Sequence, residues 1–197
     1  MRQPSPSTMK CSMARSLGVL GDLWAPLILR DLSYGLRHFS ELAESLGISP
    51  SMMTNRLGRL VEAGLVTRTP YQLRQVRYDY RLSTSGRELV VVLMALAAWG
   101  DRWTSPDGRA PVSYQHKGCQ RIFKPTVGCP WCGVPVTVDD IDLLAGPGAL
   151  NGPGTMLHRH VLATRRPKSR EPRLYLNDGV LSVLPPEVPI RPDPPDR

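Results

Sequence analysis

Four residues in the middle of the chain have the types and spacing of a metal site: His116-x2-Cys119-x9-Cys129-x2-Cys132. Three thiolates and one imidazole suit a tetrahedral Zn2+, and a Cys-x2-Cys pair followed by Gly133 lets both sulfurs reach one ion. His116 and Cys119 would form the other knuckle. With four protein donors no position stays open for a substrate, so the expected zinc is structural. It would supply folding energy to a stretch with little apolar core of its own. Two other readings stay open: a Cys129–Cys132 redox pair, and unrelated thiols beside a chance histidine. The fourth cysteine, Cys11, stands at the start of a helix, where the positive helix end and Lys10 would lower a thiol pKa. An ordinary half-buried helix-entry thiol explains it equally simply.

No other catalytic constellation is present. The sequence holds no His-Glu-x-x-His or similar motif, so no catalytic residues and no enzyme are expected. The net charge of +8 suits a polyanionic partner, because each Lys or Arg set on a phosphate releases condensed counterions. Basic residues exceed acidic ones on both sides of Thr104, 13 to 8 before it and 12 to 9 after it. Of the 20 prolines, five precede Thr104 and 15 follow it. That shift divides the chain into residues 11–104 as one domain, 105–145 as a Cys/His module, and 146–197 as linker, hairpin and tail, after a disordered 1–10. The first fifteen residues lack an apolar signal core. The longest apolar run, Leu89 to Trp99, is too short for a bilayer, which takes about 20 residues. A cytoplasmic protein without membrane contact is expected.

The elements that must position these residues follow from periodicity. Met13, Leu17 and Leu20 mark a first helix, and Trp24, Leu27, Ile28 and Leu32 a second, closed by Gly35. Phe39, Leu42, Ala43 and Leu46 give a third. Ser49-Pro50 restarts the chain as a fourth helix running to about Ala63. Two short strands follow, Leu65–Tyr71 and Val76–Leu82; in the second, Val76, Tyr78, Tyr80 and Leu82 alternate with polar residues. Ser83 caps a helix from about Thr84 to Trp103. The fold class is therefore mainly α with a small β-wing, an α+β winged helix-turn-helix. A small β-rich extension follows, with strand-like pieces such as Val134–Val138. A hairpin at Leu174–Leu184 around Asn177-Asp178-Gly179 is expected near the end. The basic stretch His158, Arg159, His160, Arg165, Arg166, Lys168 and Arg170 is either an added nonspecific DNA contact or a solvated tail.

On the fourth helix, Met53, Leu57, Leu60 and Val61 face a core. The other side carries Ser51, Met52, Asn55, Gly58, Arg59 and Glu62, flanked by Thr54 and Arg56. Such a face fits the major groove, where Asn pairs with adenine and Arg with guanine. Ser51, Asn55 and Arg59 are expected at base edges, with Thr54 and Arg56 on phosphates, and Ser49 and Met52 completing the set. Arg74 and Arg77 would reach backbone or minor groove from the wing. A solvated helix face on a small domain is the bland alternative. Leu89, Val92, Leu93, Leu96 and Trp99 form an apolar stripe on the last helix, suited to a second copy or to simple packing within the domain.

Cys11 through Trp103 resembles the HxlR family of winged-helix transcription regulators, within the wider MarR-like group. The residues that carry the resemblance include Gly21 and Trp24, then Leu27-Ile28-Leu29-Arg30-Asp31-Leu32, Gly35, Phe39, Thr54-Asn55-Arg56-Leu57, Gly64-Leu65-Val66, Asp79-Tyr80-Arg81-Leu82 and Leu96-Ala97-Ala98-Trp99. The resemblance implies a homodimer on near-palindromic duplex DNA, pairing through its first and last helices. It also implies an oxidant or small-molecule effector, with Cys11 as the redox-sensing candidate. Longer members with a similar Cys/His appendage often carry Gly after the second ligand, where Gln120 stands here. The family often has a basic residue at the place of Leu23, and wing prolines at Gln75 and Val76. A zinc-ribbon adaptor for protein or RNA is the rival function.

Overall fold

A computed structural model describes residues 5–72, 74, 76–107, 109–144, 146 and 152–155, and the backbone of 173–177 and 180–184. The basic stretch 158–170, most of the expected linker and tail, and the Asp178-Gly179 turn lie outside the described residues. Five helices and three two-stranded antiparallel sheets are described. The chain divides into two compact units, residues 1–125 with 152–155, and residues 126–151 with 156–197.

The first unit opens with a 3-10 turn at Pro6–Thr8, then α1 (Ser12–Leu20), α2 (Trp24–Tyr34), α3 (Phe39–Leu46) and α4 (Pro50–Glu62). The wing strands β1 (Val66–Gln72) and β2 (Arg77–Leu82) come next, then α5 (Thr84–Trp103). The unit continues past Thr104 into β3 (Tyr114–Gln115) and β4 (Ile122–Phe123), which pair with each other. Tyr114 explains why: its hydroxyl meets that of Tyr34 on α2, and burial together with this contact raises its pKa above the usual phenol value.

The core is the predicted one. Ile28, Leu29, Leu42, Met53, Leu57, Leu60 and Val66 are almost fully buried, each a side chain whose truncation to Ala typically costs about 2–5 kcal/mol. Gly35, in the left-handed region at φ 104°, ends α2 as a helix-closing glycine does. Gly86 is buried at the start of α5, where an added Cβ would collide with the Leu65 carbonyl oxygen. That close approach seats α5 at the foot of the wing. In the wing, β1 and β2 pair from Val66↔Leu82 to Gln72↔Arg77, with an irregularity between Pro70 and Gln72. The chain before α3 adds a third rung: Tyr80 donates its N–H to the Arg37 carbonyl at 2.9 Å, and His38 bridges Asp79.

In the second unit, the expected strand Val134–Val138 does not form. Pro135 removes a ladder donor, and the segment makes only an isolated bridge, Gly128↔Pro135, and a bond from Val136 N–H to the Val127 carbonyl before a 3-10 turn at Val138–Asp140. β5 (Arg173–Asn177) and β6 (Val180–Leu184) pair antiparallel, from Arg173↔Leu184 to Asn177↔Val180. No described helix is long and apolar enough to cross a membrane.

Candidate nucleic-acid interface

α4 is built to show one face. Ser49 accepts the Met52 N–H on its hydroxyl at 3.3 Å, and Pro50 starts the helix where no N–H is needed. Met53, Leu57 and Leu60 anchor it against α2 and α3, and this leaves Ser51, Met52, Thr54, Asn55, Gly58 and Arg59 exposed. The Gly47-Ile48-Ser49 turn after α3 holds the angle through the Ile48 N–H on the Ala43 carbonyl at 3.3 Å. Asn55 and Arg59 lie four residues apart on the helix surface, one turn of a groove-reading face. The Thr54 hydroxyl donates back to the Pro50 carbonyl at 2.8 Å, so its hydrogen is engaged within the helix.

Arg56 stands differently from its expected place at a phosphate. Its Nη1 lies 2.7 Å from Asp22 Oδ2, with the Arg and Asp side chains 22% and 19% exposed. Asp22 Oδ1 meanwhile accepts the N–H groups of Trp24 and Ala25 at 2.8 and 3.2 Å, capping α2. One carboxylate thus starts α2 and ties α4 to the turn before it. The Asp22-x-Trp24 spacing, an acceptor two residues before a helix start, is the signal that would have found this residue. Asp31 was also missed. Fully buried, it pairs with Arg30 at 2.7 Å and accepts the Ser45 hydroxyl at 2.6 Å, joining α2 to α3.

The wing presents Arg74 and Arg77, both exposed, at the hairpin end. Its base is braced by aromatic contacts: Arg68 lies over the Tyr78 ring at 4.7 Å, and His38 meets Tyr71 with centroids 4.8 Å apart. Glu41 Oε2 accepts the N–H groups of Arg37 and His38 at 3.0 Å each, and these bonds hold its carboxyl below the usual range.

The apolar stripe of α5 is divided. Leu89 and Leu93 pack against the core of their own unit, whereas Val92, Leu96 and Trp99 stay 62%, 59% and 57% exposed, with Trp103 continuing the line. Met13 and Leu17 on α1 are exposed as well. Between α2 and α5 lies an apolar cavity of about 220 Å³ lined by Leu27, Tyr34, Leu93 and Met94, below the roughly 300–1,000 Å³ usual for a ligand pocket.

Cys11 caps α1, half-buried, and Gly154 approaches its Cβ closely. All four cysteines are unbridged. In the first unit, Cys119 Sγ lies 3.4 Å from His116 Nδ1. In the second, backbone N–H groups of Cys132 and Trp131 point at Cys129 Sγ and lower its thiol pKa. Among the described residues, no group of three or more His, Cys, Asp or Glu side chains is gathered as a metal site.

A family model described as HxlR-like helix-turn-helix matches residues 19–108. An uncharacterized HTH-type transcriptional regulator of Mycobacterium tuberculosis strain H37Rv is 36% identical over 137 residues, covering 70% of this chain and 87% of the relative. The chain belongs to the HxlR-like helix-turn-helix family of transcription regulators. The HTH-type transcriptional regulator YodB of Bacillus subtilis is 31% identical over 101 residues, 51% of this chain and 90% of YodB. Among solved structures, the candidate transcription factor PA1607 superposes with a TM-score of 0.61 at 31% identity, covering 71% of this chain and 98% of that one. PA1374 of Pseudomonas aeruginosa gives 0.52 at 40% identity, covering 71% and 95%. The HxlR-like match ends at residue 108, before the His116–Cys132 segment.

Proposed function

We propose that this HxlR-like regulator binds a near-palindromic operator as a homodimer and controls nearby genes. Each α4 enters a major groove with Ser51, Asn55 and Arg59 toward base edges. The observation that carries the reading is the division of α4, with Met53, Leu57 and Leu60 sealed into the core and a short polar face left open. Ser49, Met52 and Thr54 flank that face, and Arg74 and Arg77 reach the backbone or minor groove from the wing. Arg56 acts from behind, holding the helix at its angle through Asp22. Pairing through α5 is supported by Val92, Leu96, Trp99 and Trp103, four apolar side chains along one line that no intrachain contact covers; a two-fold dimer places the same patch of each copy face to face.

The test is a mobility shift with a site selected from random duplex DNA. Binding weakens steeply with salt, because phosphate contacts release counterions. Asn55→Ala costs about 1–3 kcal/mol and relaxes one base position per half-site. Parent-like binding by Asn55→Ala and Arg59→Ala on every probe refutes the assignment of α4.

A further inference from the structure

We propose that His116, Cys119, Cys129 and Cys132 hold one structural Zn2+ per chain, independently of how α4 reads DNA. The two knuckles are built on one backbone pattern. In the first, Gln120 N–H donates to the His116 carbonyl at 2.8 Å, and His116 N–H donates to the Arg121 carbonyl at 2.9 Å. In the second, Gly133 N–H donates to the Cys129 carbonyl at 2.8 Å, and Cys129 N–H donates to the Val134 carbonyl at 2.9 Å. Each turn thus places its donor residues at the same two positions of the same hydrogen-bonded loop. The residue after the second donor is left-handed in both, Gln120 at φ 58° and Gly133 at φ 70°. Gln120 is the only non-glycine residue with positive φ among the described residues, a conformation that costs on the order of 1 kcal/mol and persists where something else holds it.

The donor spacing agrees with a metal. Zn–N of about 2.0–2.1 Å and Zn–S of about 2.3 Å at a tetrahedral angle put the two donors about 3.6 Å apart. His116 Nδ1 and Cys119 Sγ are 3.4 Å apart. In the other knuckle, main-chain N–H groups of Trp131 and Cys132 point at Cys129 Sγ, an arrangement that stabilises a ligating thiolate. Neither knuckle gathers three donors by itself, so a tetrahedral ion requires both pairs and the stoichiometry is one per chain.

The need for a metal is visible in burial. No described residue from 105 to 144 is buried, and Ile122, Val127, Val134 and Val138 are 58–84% exposed. A segment of about forty residues without a core gains its stability from a crosslink or a metal.

The experiment measures zinc in the full-length protein, purified without chelator, by inductively coupled plasma mass spectrometry. The parent and Cys11→Ser each carry about one equivalent per chain, and Cys119→Ser and Cys132→Ser lose it. Helix content by far-UV circular dichroism stays at the parent level in both, because the α1–α5 core stands apart from these ligands. In the parent itself, exchange with Co2+ gives thiolate-to-metal charge-transfer and tetrahedral d–d bands, a readout that needs no variant. Parent protein without zinc and without Co2+ bands, zinc retained in both knuckle variants, or a zinc-free Cys129–Cys132 disulfide by mass spectrometry overturns the proposal.

Discussion

The Asp22–Arg56 contact gives a prediction with opposite consequences for two roles of one arginine. If Arg56 anchors α4, Asp22→Ala removes the acceptor of two N–H groups at the start of α2 and strands a guanidinium whose Nε already lacks a partner. Loss of a helix cap costs about 0.5–2 kcal/mol, and an orphaned, largely buried polar group adds about 1–3 kcal/mol. The expected loss for Asp22→Ala is therefore about 2–4 kcal/mol. Asp22→Asn keeps the Oδ1 acceptor and removes the charge, so it loses less, about 1 kcal/mol. Arg56→Ala leaves the cap intact and costs about 1–2 kcal/mol. The assay is urea unfolding of the full-length protein at fixed concentration, since assembly shifts apparent stability. Completing the cycle with the double variant isolates a coupling of about 1–2 kcal/mol. Operator binding supplies the second limb: Arg56→Ala leaves the salt slope unchanged, whereas loss of a phosphate contact lowers the slope by about 0.9 per protomer. Additivity within about 0.3 kcal/mol, or a reduced slope, refutes the anchoring role.

Three further outcomes are expected. Leu96→Glu or Trp99→Ala raises the dimer dissociation constant at least about tenfold, equivalent to 1.4 kcal/mol, read by sedimentation equilibrium; unchanged association shows that α5 pairs with nothing. Glu41→Gln flattens the acid limb of thermal stability. The folded-state pKa of Glu41 is lowered, so its contribution is present above the ordinary carboxylate range and is lost as pH falls through the folded value. A melting-temperature profile as steep as the parent's in that range contradicts the hydrogen bonds assigned to it. Gly86→Ala destabilises by about 1–3 kcal/mol or more through the collision with the Leu65 carbonyl, measured by the same urea titration.

The helices and the wing were legible in the residues because each is a local decision. Apolar spacing, the Ser49-Pro50 start and the closing glycines act within one or two turns, and α3, α4 and α5 fall within a residue of where those signals put them. The exposed side of α4 followed from the same periodicity. Other features depend on partners distant in the chain and carry no local mark. Asp22 and Arg56 meet across 34 positions, and only the packing of α4 on α2 turns a presumed phosphate ligand into an anchor. Likewise, Leu89 and Val92 look alike on a helical wheel. The curvature of the core around α5 decides that Leu89 is covered and Val92 is not. Val134–Val138 has the alternation of a strand, yet strand formation needs a partner with free donors, and Pro135 with its single bridge to Gly128 leaves none. What a residue prefers is written beside it in the chain; what it touches is settled only when distant segments compete for the same space.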